Sequence, residues 1–430
     1  MMMHDMMLMT LMSQRRIAQS RVQVMTTTSH LRRLATLSLC LHASAWAPTA
    51  RRIPLHIRGR KRVAARWLCA SAQEPAAAPR RVIFLGTPDV AAQSLTLLMD
   101  AAAAGRGGSF EVVGVVTQPP ARSGRGQQLV PSPVQALAEE RGIEVLAPVS
   151  AKDEGFLAAL EAIEPDMCIT AAYGNFLPKA FLSIPRFGTL NVHPSLLPRW
   201  RGASPVQRAV EAGDAEMGVS VVETVLKMDA GPILATRTIE TAGDERADDL
   251  LQSLFVLGTE ALIEVLPAVW DGAAARTDQD EANAVAAAKI SKDEAILDLS
   301  ATSASDASDA SDAIALRAHN KCRAFVGWPG TSLEIEVIDD DEGASKDPIT
   351  MRLKVVSTVF TPPSDEKCAA IVASLGEREV LLVDGMLATV CSDGSLLQIT
   401  QVQPPNKKPM SARAFWNGLR GATLRWRLPA

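Results

Sequence analysis

Residues 187–205 read FGTLNVHPSLLPRWRGASP, and the fold turns on this stretch. Thr189–His193 has the apolar content of a short buried strand, expected to be the central strand of a sheet. Asn191 and His193 stand two residues apart, and in an extended backbone that spacing puts both side chains on one face. A turn-rich loop follows, with Pro194, Pro198, Gly202 and Pro205 around the basic run Arg199-Trp200-Arg201. An amide donor beside an imidazole, at a strand end under a proline-stiffened loop, suits acyl-transfer chemistry.

Outward from this strand the chain alternates. Arg81–Gly86 reads as a buried strand, and Gly86-Thr87-Pro88-Asp89 as a tight turn into an apolar-periodic helix. Strands are expected at 110–117, 143–146 and 167–171, with helices at 132–141 and 154–161 between them. Gln118–Gln128 reads as a loop with little apolar content. After a helix at 206–212 come strands at 218–222 and 233–239, then a long amphipathic helix over about 247–269. This rhythm predicts an open, mostly parallel α/β sheet, in which sites form outside the carboxyl ends of the strands. No G-x-G-x-x-G follows the first strand, so a dinucleotide fingerprint is absent. Asp229, in the turn Met228–Pro232 between two apolar strands, is the natural third partner for Asn191 and His193, with a plain turn former as the alternative.

Residues 81–275 are therefore expected to form a catalytic domain and 276–288 a turn-like linker. Residues 289–430 are expected to form a second domain. Five short strand-like runs, at 332–338, 350–356, 379–383, 387–390 and 396–401, predict a small β-barrel there. Residues 302–312, TSASDASDASD, read as a low-complexity, disordered insertion, and 342–347 and 362–367 as loop insertions. Lys407, Lys408, Arg413, Arg420, Arg425 and Arg427 make the tail a basic strip.

Charge divides the chain. Residues 1–80 carry 13 Lys+Arg against Asp5 and Glu74, whereas the rest is net −15. An acidic body does not bind nucleic acid through its overall field and needs local basic strips for it. The leader has presequence chemistry. Its Arg32-Arg33, its apolar run to Leu41 and its Ala43-Ser44-Ala45 step resemble the bipartite plastid presequences of algae with secondary plastids, with a junction at Ala45-Trp46. A mitochondrial presequence starting at Met1 is the alternative. The six cysteines form no C-x-x-C pair and read as scattered buried thiols, and no metal is expected. No apolar run of 18 residues indicates a membrane span. Only His193 and His319 lie outside the leader. His319, on an apolar-periodic helix, reads as a core or surface residue.

NVHPSLLPRWRGASPVQ resembles the signature of the folate-dependent formyltransferases. FLGTPDVAA, VVTQPPARSGRGQQLVPSPV, AYGNFLP, MDAGPIL and QPPNKKPMSARAFWNG extend the likeness to the methionyl-tRNA formyltransferase branch, in order from about residue 81 to 420. The resemblance implies a Rossmann-like domain followed by an OB-like barrel. It implies formyl transfer from 10-formyltetrahydrofolate, as donor co-substrate, to the α-amino group of initiator methionyl-tRNA. Asn191, His193 and Asp229 would be catalytic. The folate would lie against Tyr173, Gly174 and the wall Ser195, Leu196, Leu197 and Pro198. Arg125 would meet the tRNA acceptor end, with Lys407 and Lys408 as further phosphate contacts. For all three basic residues a solvated charge is the alternative. The protein is expected to be a monomer with no membrane role in its mature form. A formyltransferase for a small amine and a non-catalytic RNA-binding protein are the competing readings. The first has no use for the basic tail, and the second none for the intact Asn-His-Asp set.

Overall fold

The computed structural model describes residues 78–123, 127–300, 313–338, 348–362 and 364–428. The leader up to residue 77, Arg125, the 302–312 insertion and the 342–347 loop lie outside the described residues.

The first half follows the alternation in the sequence. Its elements are β1 (Arg80–Gly86), α1 (Asp89–Ala103), β2 (Phe110–Val116), the hairpin β3 (Ala121–Ser123) and β4 (Gln128–Val130), α2 (Pro133–Glu140), β5 (Glu144–Leu146), α3 (Glu154–Ala162) and β6 (Met167–Ala171). Then come α4 (Lys179–Leu182), β7 (Thr189–His193), β8 (Arg201–Gly202), α5 (Pro205–Ala212), β9 (Glu216–Glu223), β10 (Ile233–Glu240) and α6 (Ala247–Trp270). Seven strands form one sheet in the order β10-β9-β7-β6-β1-β2-β5. The five from β5 to β7 run parallel, while β9 is antiparallel to β7 and β10 to β9. The middle position belongs to β6, which corrects the expectation that Thr189–His193 is central; β7 is the strand at which the parallel part meets the antiparallel pair. Within Gln118–Gln128, expected as a loop, Ala121–Ser123 instead forms β3 and pairs antiparallel with β4, which begins at Gln128.

The pleat shows how β1 serves both layers. Val82 and Phe84 face the core formed with α1 and α6, whereas Ile83 and Leu85 face Phe156, Leu160 and Phe181 on the other side. Helix α6 is long and apolar enough by length and composition to cross a membrane. Its stripe of Leu250, Leu254, Leu262 and Leu266 is instead part of the sheet core. At Gly258 the helix comes so close that a Cβ would lie 2.3 Å from Val219 and 2.6 Å from Val192.

The second half holds β11 (Ala286–Ala287), α7 (Ile314–Ala324), β12 (Thr331–Ile338), β13 (Ile349–Phe360), α8 (Glu366–Ser374), β14 (Glu379–Val383), β15 (Met386–Val390), β16 (Leu396–Gln403), β17 (Met410–Ser411), α9 (Ala412–Asn417) and β18 (Thr423–Trp426). Pairing of β13 with β16 closes a six-stranded antiparallel barrel in the order β13-β12-β18-β14-β15-β16. The five strand-like runs are all present, and β18 supplies the sixth. In the sequence it reads as basic tail, because Arg425 points outward between the buried Leu424 and Trp426. Part of the supposed loop insertion at 362–367 is the start of α8, where Asp365 accepts from the Lys367 backbone N–H and caps the helix.

Helix α7 belongs to both cores. Ile314, Ala315, Ala318 and Cys322 pack into the barrel, while Ala324 and the following Phe325 lie in the sheet core. Arg323 donates to the Glu245 carbonyl at 2.7 Å and to Asn320 Oδ1 at 2.7 Å. The stretch between α6 and the barrel is fastened along its length: Thr277 bridges to Ile233, and β11 pairs in parallel with β8. Gly202 in β8 has φ 131°, and a Cβ there would sit 2.6 Å from the Ala287 carbonyl, so only glycine permits this pairing. The described cysteines, Cys168, Cys322, Cys368 and Cys391, are free and buried.

Candidate active site

The site forms where β7 ends. Parallel pairing of β6 with β7 sets Thr170 opposite Asn191, and the Thr170 hydroxyl donates to Asn191 Oδ1 at 2.8 Å. That bond fixes the amide so that its oxygen is occupied, and no partner holds its Nδ2 among the described residues. Asn191 is half-buried, so an N–H donor remains for a ligand at the strand end.

His193 is only 4% exposed. Its Nε2 lies 3.0 Å from the Trp200 carbonyl oxygen. A carbonyl can only accept, so Nε2 carries the hydrogen and Nδ1 the lone pair. Nδ1 faces Asp229 Oδ1 at 3.7 Å, a distance suited to a charged pair once the ring is protonated. The second carboxylate oxygen of Asp229 accepts from the Gly202 backbone N–H at 2.9 Å. Trp200 and Asp229 both have positive φ, 66° and 49°, so the carbonyl of one and the carboxylate of the other are each presented from a constrained turn.

The loop between His193 and Trp200 is pinned from below. Ser220 on β9 donates to the Ser195 carbonyl at 2.8 Å and accepts from the Leu197 N–H at 3.2 Å. The Ser195 hydroxyl donates to the Arg199 carbonyl at 2.8 Å. Leu196 lies against Gly218, and Leu197 is buried. Asp214, in the turn after α5, accepts from Trp200 Nε1 at 2.7 Å and from both Nε and Nη2 of Arg199, at 3.0 and 2.8 Å. The same carboxylate raises the Arg199 guanidinium further above its usual value. Arg199 in turn stacks over the Trp200 ring, 4.4 Å from its centroid.

A second support comes from the stretch after α6. Gln279 Nε2 donates to the carbonyls of Asp229 and Gly231, at 2.8 and 2.7 Å. Its Oε1 accepts from Arg201 Nε at 2.9 Å. Arg201 Nη1 also pairs with Glu281 at 3.0 Å, and Lys227 meets the same carboxylate at 2.6 Å. These two cations hold Glu281 well below the usual carboxylate range, at about 2.

The structure thus brings together Asn191, His193 and Asp229, and it stands Ser195, Leu196, Leu197 and Pro198 beside them as a wall. The polar groups of Ser195 and Leu197 are spent within the protein, so what this wall offers a ligand is shape. Gly174, at φ 86°, lies in the open turn after β6. At Tyr173 it is the backbone, not the ring, that reaches the site turns. Its ring is buried beneath the sheet with Ile83, Leu85 and Phe181, and burial pushes its phenol up. Only its carbonyl faces the site turns, where it accepts from Thr87 Oγ1 and Gln118 Nε2. Lys407 and Lys408 are exposed on the turn between β16 and β17, and Gln403 holds the Lys407 carbonyl at 2.8 Å. Arg125 falls outside the described residues.

Sequence reading missed Thr170, Asp214 and Gln279. The register of two neighbouring parallel strands would point to Thr170, since both carry their site residue near the carboxyl end. Asp214 and Gln279 have no local signal: one reaches back 14 residues to Trp200, and the other acts across 50 residues.

Residues 80–266 match the formyl transferase family and residues 311–420 match the formyl transferase C-terminal domain. A methionyl-tRNA formyltransferase of Nitratidesulfovibrio vulgaris is 36% identical over 341 residues, which are 79% of this chain and 93% of that protein. One from Pseudomonas paraeruginosa is 37% identical over 340 residues, covering 79% of this chain and 96% of its own length. Among solved structures, a HypX variant from Aquifex aeolicus aligns with a TM-score of 0.49 at 15% identity, over 80% of this chain and 48% of that one. With two matched domains in sequence order and the Asn-His-Asp site lying inside the first, the chain belongs to the formyl transferase family, on its methionyl-tRNA formyltransferase branch.

Proposed function

We propose that this protein transfers the formyl group of 10-formyltetrahydrofolate to the α-amino group of initiator methionyl-tRNA, making formylmethionyl-tRNA for translation in an organelle. The observation that carries this reading is the donor left free on Asn191 beside a hydrogen-bonded His193 and Asp229, in a chain spanning 93% of a relative with that name. The donor supplies an activated formyl carbon. As the amine attacks that carbon, negative charge gathers on the formyl oxygen, where the Asn191 Nδ2–H donates. Such a donor is worth about 3–4 kcal/mol in comparable sites. The incoming ammonium gives one proton to solvent before it attacks. As the new bond forms it loses a second, which His193 accepts at Nδ1, directly or through water, and Asp229 stabilises the imidazolium that results. The new C–N bond forms, the bond to the donor nitrogen breaks, and the proton held on His193 passes to that nitrogen.

Arg125, Lys407 and Lys408 are the residues we assign to the tRNA, as contacts to phosphate and base edges. The basic, acid-poor leader supports an organelle address, plastid rather than mitochondrion. N-terminal sequencing of the mature protein tests that address, and a start upstream of residue 40 would overturn the plastid version. The activity is tested with residues 80–430, charged initiator tRNA and 10-formyltetrahydrofolate. Formylmethionyl-tRNA is the expected product. Turnover of an aminosugar or a ribonucleotide amine without tRNA formylation would replace the proposal with a small-amine formyltransferase.

A further inference from the structure

The segment after α6 lies outside the matched catalytic domain, which ends at residue 266, yet it reaches the site. Gln279 is the residue by which it does so. One side-chain amide makes three bonds: its two hydrogens go to the carbonyls of Asp229 and Gly231, and its oxygen takes Arg201 Nε. The Asp229 turn needs such a tie. Asp229 is a non-glycine residue at φ 49°, a conformation that costs about 1 kcal/mol or more unless its surroundings enforce it. Met228 beside it is largely exposed and contributes no packing to hold the turn. From the other side, Arg201 and Gly202 are held by pairing with Ala286 and Ala287, eight residues on from Gln279 at the furthest, and the Gly202 N–H donates to Asp229 Oδ2. The Asp229 turn and the β8 loop are therefore each bound to the same short connector.

We infer that Gln279 is a positioning residue for Asp229: it locks the 229–231 turn to Arg201 so that the Asp229 carboxylate stands at His193 Nδ1. The inference rests on the site assignment above and adds a residue to it. Gln279 touches neither reacting atom; it sets where the carboxylate is. Glutamate at this position keeps the size and the acceptor for Arg201 but turns both donors into acceptors facing carbonyl oxygens. Methionine keeps the size and removes all three bonds.

The test uses residues 80–430 carrying Gln279→Glu or Gln279→Met, with circular dichroism and thermal melting to establish folding. Steady-state kinetics are then measured against charged tRNA and formyl donor. Both variants should lose roughly tenfold to a hundredfold in kcat, with KM for tRNA changed less than about threefold. A fall in melting temperature with kcat unchanged would overturn the inference and leave Gln279 a purely structural tie. A rise confined to KM for tRNA would overturn it too, since the connector would then serve binding. If the unsubstituted protein formylates a small amine and not tRNA, the functional proposal fails, and the same kcat comparison, run with that amine, still decides the role of Gln279.

Discussion

At the scale of single residues, the site is a set of hydrogen bonds whose direction can be assigned. His193 is the clearest. With its Nε2 hydrogen spent on the Trp200 carbonyl, the base has one lone pair to offer, and that lone pair faces Asp229. His193→Ala should therefore lower turnover by about 10²–10⁴-fold while the circular dichroism spectrum and melting temperature hold; an unchanged rate would remove His193 from the reaction. Asp214 acts one step back. It holds the Trp200 indole and the Arg199 guanidinium, and Trp200 holds His193. Asp214→Asn weakens a charge-assisted pair worth of the order of 1.5 kcal/mol, so kcat should fall about tenfold with little change in donor KM. A loss confined to donor KM would show that Asp214 serves the folate wall instead of the imidazole.

At the scale of elements, the decisive contact is α6 against β7 and β9. Alanine is a better helix former than glycine by about 1 kcal/mol, so propensity alone favours Gly258→Ala. Packing opposes it, because the new methyl would meet Val219 and Val192 well inside van der Waals contact, and overpacking costs about 1–3 kcal/mol. Urea unfolding should show a net loss of stability; a gain would mean that the helix can shift away from the sheet. These elements also show what the sequence could and could not tell. The strand-helix rhythm from β1 to β10 is carried by local periodicity, and so is the pairing of Asn191 with His193 on one face. Asp229 is legible as an acid in a turn. Not legible is the direction of Tyr173, because the left-handed turn at Ala172 sends its ring down into the core. Strand β18 is hidden because its outward residue is an arginine, and its inward ones, Leu424 and Trp426, are too few to show a period. Gln279 is hidden because hydrogen bonds across 50 residues leave no trace in a local pattern.

At the scale of the whole molecule, the two halves meet at α7, and the seam carries a buried histidine. His319 Nδ1 is 2.9 Å from Thr358 Oγ1 on the barrel, Arg323 lies on its own helix, and Asp244 approaches its Nε2 at 3.9 Å from the sheet half. Burial first, and then the Arg323 charge, bring His319 down to about 4. Its contribution is thus fully present above the ordinary imidazole value near 6.5 and is lost as pH falls through about 4, a change of the order of 3 kcal/mol. Wild-type stability should drop between pH 7 and 4, and His319→Gln should remove much of that drop; equal slopes for both proteins would show that the seam does not titrate. The tie through Gln279 has a consequence for the order in which the chain is made. A chain synthesised from its N-terminus presents Asp229 first, Gln279 fifty residues afterwards, and Phe325, which completes the sheet core, later still. The core of the catalytic half is complete only once the opening of the barrel half has emerged, and a nascent chain that ends before residue 279 holds the aspartate without its brace.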